Sequence, residues 1–351
     1  MEYTTLGKTH IKVSKIGLGG IELSRIDYGK AVNLVKQAIE LGINLIDTAH
    51  NYLNSETIIG QAIKNYRDSV YICTKSMSTS KKGFLNDLNC SLKNLQTDYI
   101  DIFLFHDCSE KRFKKIESNG ILDLLLKEKQ KGKVRYIGFS THSPDVIDKF
   151  YSIEDFSVIM MPVNFITTEF TQKKIFKRLV KKGIGILGMK PLGGGRILDI
   201  ELCFKFIKQF KEVVPVVGVE SLNELKQDLE YFNDKTSLTA DDLIKIRNIT
   251  DELGMNYCRD CRYCLPCPEG INIPWINFIK TNYKRLSPAI IFSESYIEEV
   301  KKVDNCKECK KCEKKCPFGL NIVEMLKENQ NYYFKILKEK MLDEKILNRI
   351  I

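Results

Sequence analysis

Apolar positions along this chain follow two rhythms that take turns. Short, nearly continuous apolar runs of strand length recur at 13–20, 43–46, 70–75, 100–106, 134–140, 157–161, 184–189 and 213–217. Between them the apolar residues return every third or fourth position, as Ala31, Leu34, Val35, Ala38 and Ile39 do within 28–41. The first rhythm predicts buried strands and the second amphipathic helices. Helices are thus expected at 28–41, 55–65, 84–95, 121–131, 145–151, 172–182, 200–210 and 222–231, with Ser55 as the N-cap of the second. Eight strands that alternate with helices imply an α/β fold, a closed (β/α)8 TIM barrel with right-handed crossovers, over residues 1–235. An open doubly wound sheet is the competing arrangement. It is disfavoured because no Gly-x-Gly-x-x-Gly opens a helix after the first strand; Gly17-Leu18-Gly19-Gly20 comes nearest.

The flanks read differently. Residues 1–13 suggest a short capping hairpin that turns at Gly7. Past the barrel, Asp241, Leu243, Ile246 and Ile249 mark a connecting helix within 236–254. A cysteine-rich, mostly α module follows at 255–325, and a charged helix fills 326–351.

Three successive strands end in reactive groups: Asp47, then Lys75, then His106, with Tyr52 just beyond Asp47. In a (β/α)8 barrel the C-terminal strand ends form the active site. These four groups have a shared chemical purpose. A phenol of pKa ~10 is a poor proton donor at neutral pH. An adjacent ammonium stabilises the phenolate and lowers that pKa, and a buried carboxylate holds the ammonium in place. An imidazole on the next strand can orient a carbonyl oxygen. Singly, a strand-end Asp or Lys is more often structural, and a lone His more often a satisfied core residue. The four together, in this order, favour the catalytic reading.

The run Asn44-x-x-Asp47-Thr48-Ala49-x-x-Tyr52-x-x-Ser55-Glu56-x-x-x-Gly60 closely resembles the signature of the aldo-keto reductases, and Thr74-Lys75 and Leu104-Phe105-His106 match their next two signatures. The resemblance covers residues 1 to about 235. It implies Tyr52 as general acid, Asp47 and Lys75 as its tuning partners, His106 as substrate orienter, and hydride transfer from NAD(P)H to an aldehyde or ketone. It further implies cofactor contacts at Gly20, Ser140, Asn164, Met189, Lys190, Pro191, Leu192, Gly193, Ser221 and Lys226. Lys190 and the glycines after Leu192 suit a pyrophosphate cradle, since glycine lets backbone N–H groups come close to phosphate. Thr141, Pro162 and Met189 depart from residues frequent in the family. Glu220 stands where many members carry a basic residue, so NADP(H) and NAD(H) both stay open, with Lys226 able to compensate.

The cysteines fall in two runs. Cys258-x2-Cys261-x2-Cys264-x2-Cys267-Pro268 precedes Cys306-x2-Cys309-x2-Cys312-x3-Cys316-Pro317. The second run is the bacterial ferredoxin signature, and the first differs from it by one residue. In two-cluster ferredoxins the fourth cysteine of each run ligates the other cluster. The expected ligands are therefore Cys258, Cys261, Cys264 and Cys316 for one [4Fe–4S] cluster, and Cys306, Cys309, Cys312 and Cys267 for the second. Two zinc sites are the alternative; the Cys-Pro steps favour iron and sulfur. Aldo-keto reductases with such a module form a recognised group, which this sequence resembles throughout. Cys73, Cys90, Cys108 and Cys203 read as ordinary residues.

Composition adds limits. At 351 residues the chain can bury a large core and a smaller one. No apolar run approaches the ~20 residues of a membrane span, and the start lacks the pattern of a signal peptide, so a cytoplasmic protein without membrane partners is expected. The formal charge of +10 is spread over the whole chain, which argues for solvated helix faces rather than nucleic-acid binding. Two functional classes remain. One is a reductase of a small-molecule carbonyl, whose clusters hold the module together or exchange electrons with a redox protein. The other is an electron-transfer or redox-sensing adaptor, with a nucleotide-binding barrel of low turnover.

Overall fold

The computed structural model describes residues 1–172, 174–254 and 257–350, with side chains described except at 172, 254, 285 and 341–350. The chain divides into two compact units, Met1–Leu243 and Ile244–Ile351.

In the first unit, β1 (Tyr3–Thr5) and β2 (Lys12–Ser14) pair antiparallel as a hairpin. Eight further strands close a parallel barrel: β3 (Gly17–Gly19), β4 (Leu45–Asp47), β5 (Tyr71–Ser76), β6 (Ile100–Phe105), β7 (Val134–Ser140), β8 (Phe156–Pro162), β9 (Gly185–Met189) and β10 (Val213–Gly218), with β10 hydrogen-bonded back to β3. The expected closed barrel is what forms.

Several local expectations need correction. The first barrel strand starts at Gly17 and not at 13, because Val13 pairs with Thr4 in the hairpin. Residues 107–119, which fall between the expected strand 100–106 and helix 121–131, contain a further helix, Glu110–Ser118, capped by Ser109 Oγ on the Arg112 N–H. Its buried Phe113 and Ile116 supply the helical spacing. Ser55 does not cap its helix; Asn54 holds that position. The Ser55 hydroxyl is buried instead, 2.7 Å from the Gly20 carbonyl and 2.9 Å from Thr48 Oγ1.

Two apolar layers follow from the strict alternation of strand side chains. Outward residues such as Ile46, Ile72, Phe103 and Phe139 pack under the helices. Inward residues Leu45, Cys73, Ile102, Leu104, Val158, Met160, Leu187, Val214 and Val216 fill the interior, and Leu6, Ile11 and Val13 of the hairpin segment pack against them. Continuing this inward parity by two residues places Asp47 after Leu45, Lys75 after Cys73 and His106 after Leu104. The count of residues, more than any local signal, delivers the chemistry to the barrel axis.

Of the buried acids away from these strand ends with a shifted carboxyl, Asp228 has the one raised most strongly. Asp228, on helix Leu222–Asn233, is 3% exposed, and burial, with a smaller push from Glu224, raises its carboxyl to about 7. An unfolded Asp titrates near ~3.9, so between about pH 4 and about pH 7 only the folded chain keeps this proton, and stability falls as pH rises through that window. Asp228→Asn is expected to stabilise the first unit by up to ~4 kcal/mol at pH 8 and hardly at all near pH 3.5, as read by urea unfolding at both values. A gain of equal size at both would contradict the raised carboxyl.

The second unit is built from helices: Ile273–Asn277, Ile279–Arg285, Pro288–Ile291, Glu294–Lys301, Lys311–Lys315 and the long Ile322–Ile350. Ile273, Ile276, Ile279, Ile291, Val300, Leu326 and Tyr333 form its core, with the Tyr333 hydroxyl donating to the Ile291 carbonyl at 2.7 Å. No described helix is long and apolar enough to cross a membrane.

Candidate active site and metal centre

Lys75 is the centre of the first site. It is 1% exposed, and its Nζ donates to Asp47 Oδ1 at 2.6 Å, to Asp47 Oδ2 at 2.8 Å and to the Thr48 carbonyl at 2.6 Å. Burial alone would strip its charge. Asp47 first, then Tyr52 and Cys73, outweigh that and raise the ammonium's pKa. Burial in turn pushes the Asp47 carboxyl up, against the pull of Lys75. The two therefore sustain each other as a buried ion pair.

Tyr52 and His106 complete the group. The Lys75 Nζ lies 5.4 Å from the centroid of the Tyr52 ring. The His106 ring meets Tyr52 edge-on, with centroids 5.6 Å apart. Tyr52 sits in the turn that follows β4, its N–H bonded to the Ala49 carbonyl. All four residues singled out in the sequence thus come together at one end of the barrel.

Two neighbours were not foreseen. His106 Nδ1 lies 3.0 Å from Asn51 Oδ1, which selects the ring's orientation. Cys73 pairs in register with Asp47, and burial together with the nearby Asp47 carboxylate holds its thiol well above the ordinary range. Inward parity marks Cys73, two residues before Lys75, as part of the site; nothing local in the sequence marks Asn51.

The cysteines gather in the second unit. Cys258 and Cys264 are 7% and 9% exposed within its core, and Cys267, Cys306, Cys312 and Cys316 pack against it. Burial raises the thiol pKa of Cys264, and the nearby Cys258, Cys261, Cys312 and Cys316 raise it further. Cys261 is raised by burial, with Cys316 adding to it, and Cys312 by burial, with Cys267 adding to it. The fourth cysteine of each run therefore lies close to the other run. Among the described residues no three His, Cys, Asp or Glu side chains form a ready site for a single ion.

Comparison with known proteins bears on both units. The Aldo/keto reductase family model matches residues 15–201, more than half of the chain. The chain belongs to the aldo/keto reductase family. A 4Fe-4S dicluster domain matches residues 257–321. An aldo-keto reductase of Bacillus subtilis is 33% identical over 188 residues, 48% of this chain and 56% of its own length. L-galactose dehydrogenase of Arabidopsis thaliana is 31% identical over 221 residues, 57% of this chain and 68% of its own. The chain thus spans little more than half of the first of these relatives. Among solved structures, the holo form of an aldo-keto reductase from Bacillus halodurans superposes with a TM-score of 0.60 at 24% identity, covering 71% of this chain and 96% of that one, which shows the shared fold.

Several positions that the aldo-keto reductase resemblance gives to the cofactor also hold the barrel rim together. Gly20 is buried; a Cβ there would meet Ser55 Oγ at 2.6 Å and the Asp47 carbonyl at 2.8 Å, so only glycine lets β3 lie this close to Asp47. Asn164 accepts the Ile166 and Thr167 N–H groups and donates to the Lys190 carbonyl at 3.0 Å, stitching the ends of β8 and β9. Ser140 Oγ accepts the Asp107 N–H at 2.8 Å. Met189 packs on the interior core. Lys190 has a positive φ of 55° and its Nζ lies 3.4 Å from His142 Nδ1. Pro191 and Leu192 lead into Gly193, Gly194 and Gly195, which have φ of 59°, 72° and 80°, a backbone turned as a cradle requires. Ser221 caps helix Leu222–Asn233 through the Glu224 N–H, and Lys226 is exposed. Glu220 is held by Arg25 at 2.6 Å, a partner the sequence did not announce.

Proposed function

We propose that the barrel reduces an aldehyde or ketone with a hydride from NAD(P)H, and that the cysteine module holds two [4Fe–4S] clusters. The observation that carries the first part is the Asp47–Lys75 ion pair set beneath the Tyr52 ring. The nicotinamide, when bound, supplies the hydride. Tyr52 gives its phenolic proton to the carbonyl oxygen, and the Lys75 ammonium stabilises the phenolate left behind. Asp47 keeps Lys75 charged and in place through the cycle. His106, oriented by Asn51, directs the carbonyl oxygen toward Tyr52. Ser140, Asn164 and Met189 would face the nicotinamide, and Lys190 with the following glycines the pyrophosphate.

For the second part the donor set itself is the support. Eight soft thiols lie in one small unit, seven of them buried or half-buried and Cys309 exposed, with each run's fourth cysteine beside the other run. Cys258, Cys261, Cys264 and Cys316 would hold one cluster, and Cys306, Cys309, Cys312 and Cys267 the other. Such clusters and free thiols fit a reducing, cytoplasmic setting.

The reductase reading is tested with a panel of aldehydes and ketones, NADH and NADPH side by side. At least one carbonyl is expected to be reduced by the wild type and not by Tyr52→Phe; equal rates in both would sink the reading. For the clusters, Cys316→Ser is expected to lower the iron content of anaerobically purified protein by roughly half, by losing one cluster of two. Zinc in place of iron in the wild type would decide for the other metal.

A further inference from the structure

The stretch around Cys309 carries a cluster of free ammonium groups. Lys307, Lys310, Lys311, Lys314 and Lys315 are all exposed, and among the described residues none of the five pairs with a carboxylate. The acids between them are engaged elsewhere. Glu308 is bound by Lys327, with Lys310 acting on it only at longer range. Glu313 accepts the Val323 N–H at 3.0 Å and so serves the start of the long helix. Just upstream, Lys301 and Lys302 are spent on Glu298 and Glu299, at 3.0 and 2.6 Å. A bare count of charges, seven lysines against five acids over 298–315, hides this division of labour.

The same place is where the cysteine module comes nearest to solvent. Cys309 is exposed and Cys306 and Cys312 are half-buried, whereas Cys258 and Cys264 are buried. A metal centre held by thiolates is anionic, which partly offsets the lysines at long range. Beyond a Debye length of ~8 Å that offset fades with everything else, and a partner in contact meets the ammonium groups first.

We propose that this lysine rim is the docking surface for an acidic protein that carries a one-electron redox centre. The inference rests on the reading that Cys306, Cys309, Cys312 and Cys267 bind a cluster. Each encounter moves one electron between the carrier and the module; one side is oxidised by one electron as the other is reduced, and no bond forms or breaks. Opposite charges at the rim steer and orient that encounter. A nucleic acid fits less well. The patch is short, and Phe318, the aromatic residue next in sequence, already has one face taken by the Arg259 guanidinium at 3.9 Å, which leaves a poorer platform for base stacking.

The test uses the full chain, purified anaerobically, with an acidic plant-type ferredoxin as probe. Basic cytochrome c and a duplex DNA oligonucleotide serve as controls. The triple variant Lys310→Glu, Lys311→Glu, Lys314→Glu is compared with Lys64→Glu, Lys93→Glu, Lys211→Glu, which reverses three exposed charges on the barrel. The rim triple is expected to weaken ferredoxin binding roughly tenfold or more, to flatten its salt dependence, and to leave iron content and the iron-sulfur spin signal unchanged. The barrel triple should bind as the wild type does. Equal weakening in both triples, or no binding by iron-loaded wild type at low salt, overturns the docking surface and leaves the cluster reading standing. Duplex DNA that binds more tightly than ferredoxin and is lost in the rim triple overturns it in favour of a nucleic acid. Wild type without iron removes the cluster reading and the docking surface together.

Discussion

Tyr52→Phe is expected to lower kcat for carbonyl reduction by roughly 10²- to 10⁴-fold, the usual contribution of a positioned general acid, with nicotinamide binding unchanged. The substitution removes one oxygen and keeps the ring, so the edge contact with His106 at 5.6 Å survives. Loss of activity then reports proton donation and not a collapsed site. Steady-state rates beside a direct nucleotide titration separate the two. A variant within threefold of wild-type kcat would mean that the proton comes from elsewhere.

Lys75→Met has the larger structural consequence. It strands the Asp47 carboxylate, 6% exposed, without the ammonium that now makes two hydrogen bonds to it. Breaking one side of a buried pair costs ~3–5 kcal/mol, whereas removing both charges is often close to neutral. The single variant should unfold at markedly lower temperature. The double variant Lys75→Met, Asp47→Leu should recover most of that loss while staying as inactive as Tyr52→Phe. Recovery of stability without activity separates the pair's role in the fold from its role beside Tyr52. A double variant no more stable than the single one would show that the loss comes from packing and not from charge.

The barrel and the four central residues were legible because both rest on counts that tertiary structure cannot easily override. Strands of a closed parallel sheet must be apolar on both faces, and their ends must fall at the same rim. What the sequence concealed depended on contacts between distant segments. Val13 has the look of a barrel strand, and only its partner Thr4 assigns it to the hairpin. Ser55 stands where a cap is expected, yet the close approach of Gly20 claims its hydroxyl. The Glu110–Ser118 helix was hidden by its many charges, with only Phe113 and Ile116 facing inward. Arg25 and Glu220 lie far apart in sequence, and Asn51 gives no sign that it will meet His106. In the second unit the spacing of the cysteines was plain, but the helices between the two runs were not. Ile273–Asn277 and Pro288–Ile291 are too short to show a period.

The odd-and-even order of the strand residues has a consequence for how such a protein can change over time. Leu45 and Asp47 share one face of β4, with Ile46 on the other. Deleting a single residue there would turn the acid out among the helices and bring an isoleucine in to face the amine. Lengthening the loops beyond Tyr52 or Lys75 carries no such hazard. Changes in length are therefore confined to the loops past the strand ends, while the stretch leading to each reactive group admits substitutions but not insertions or deletions.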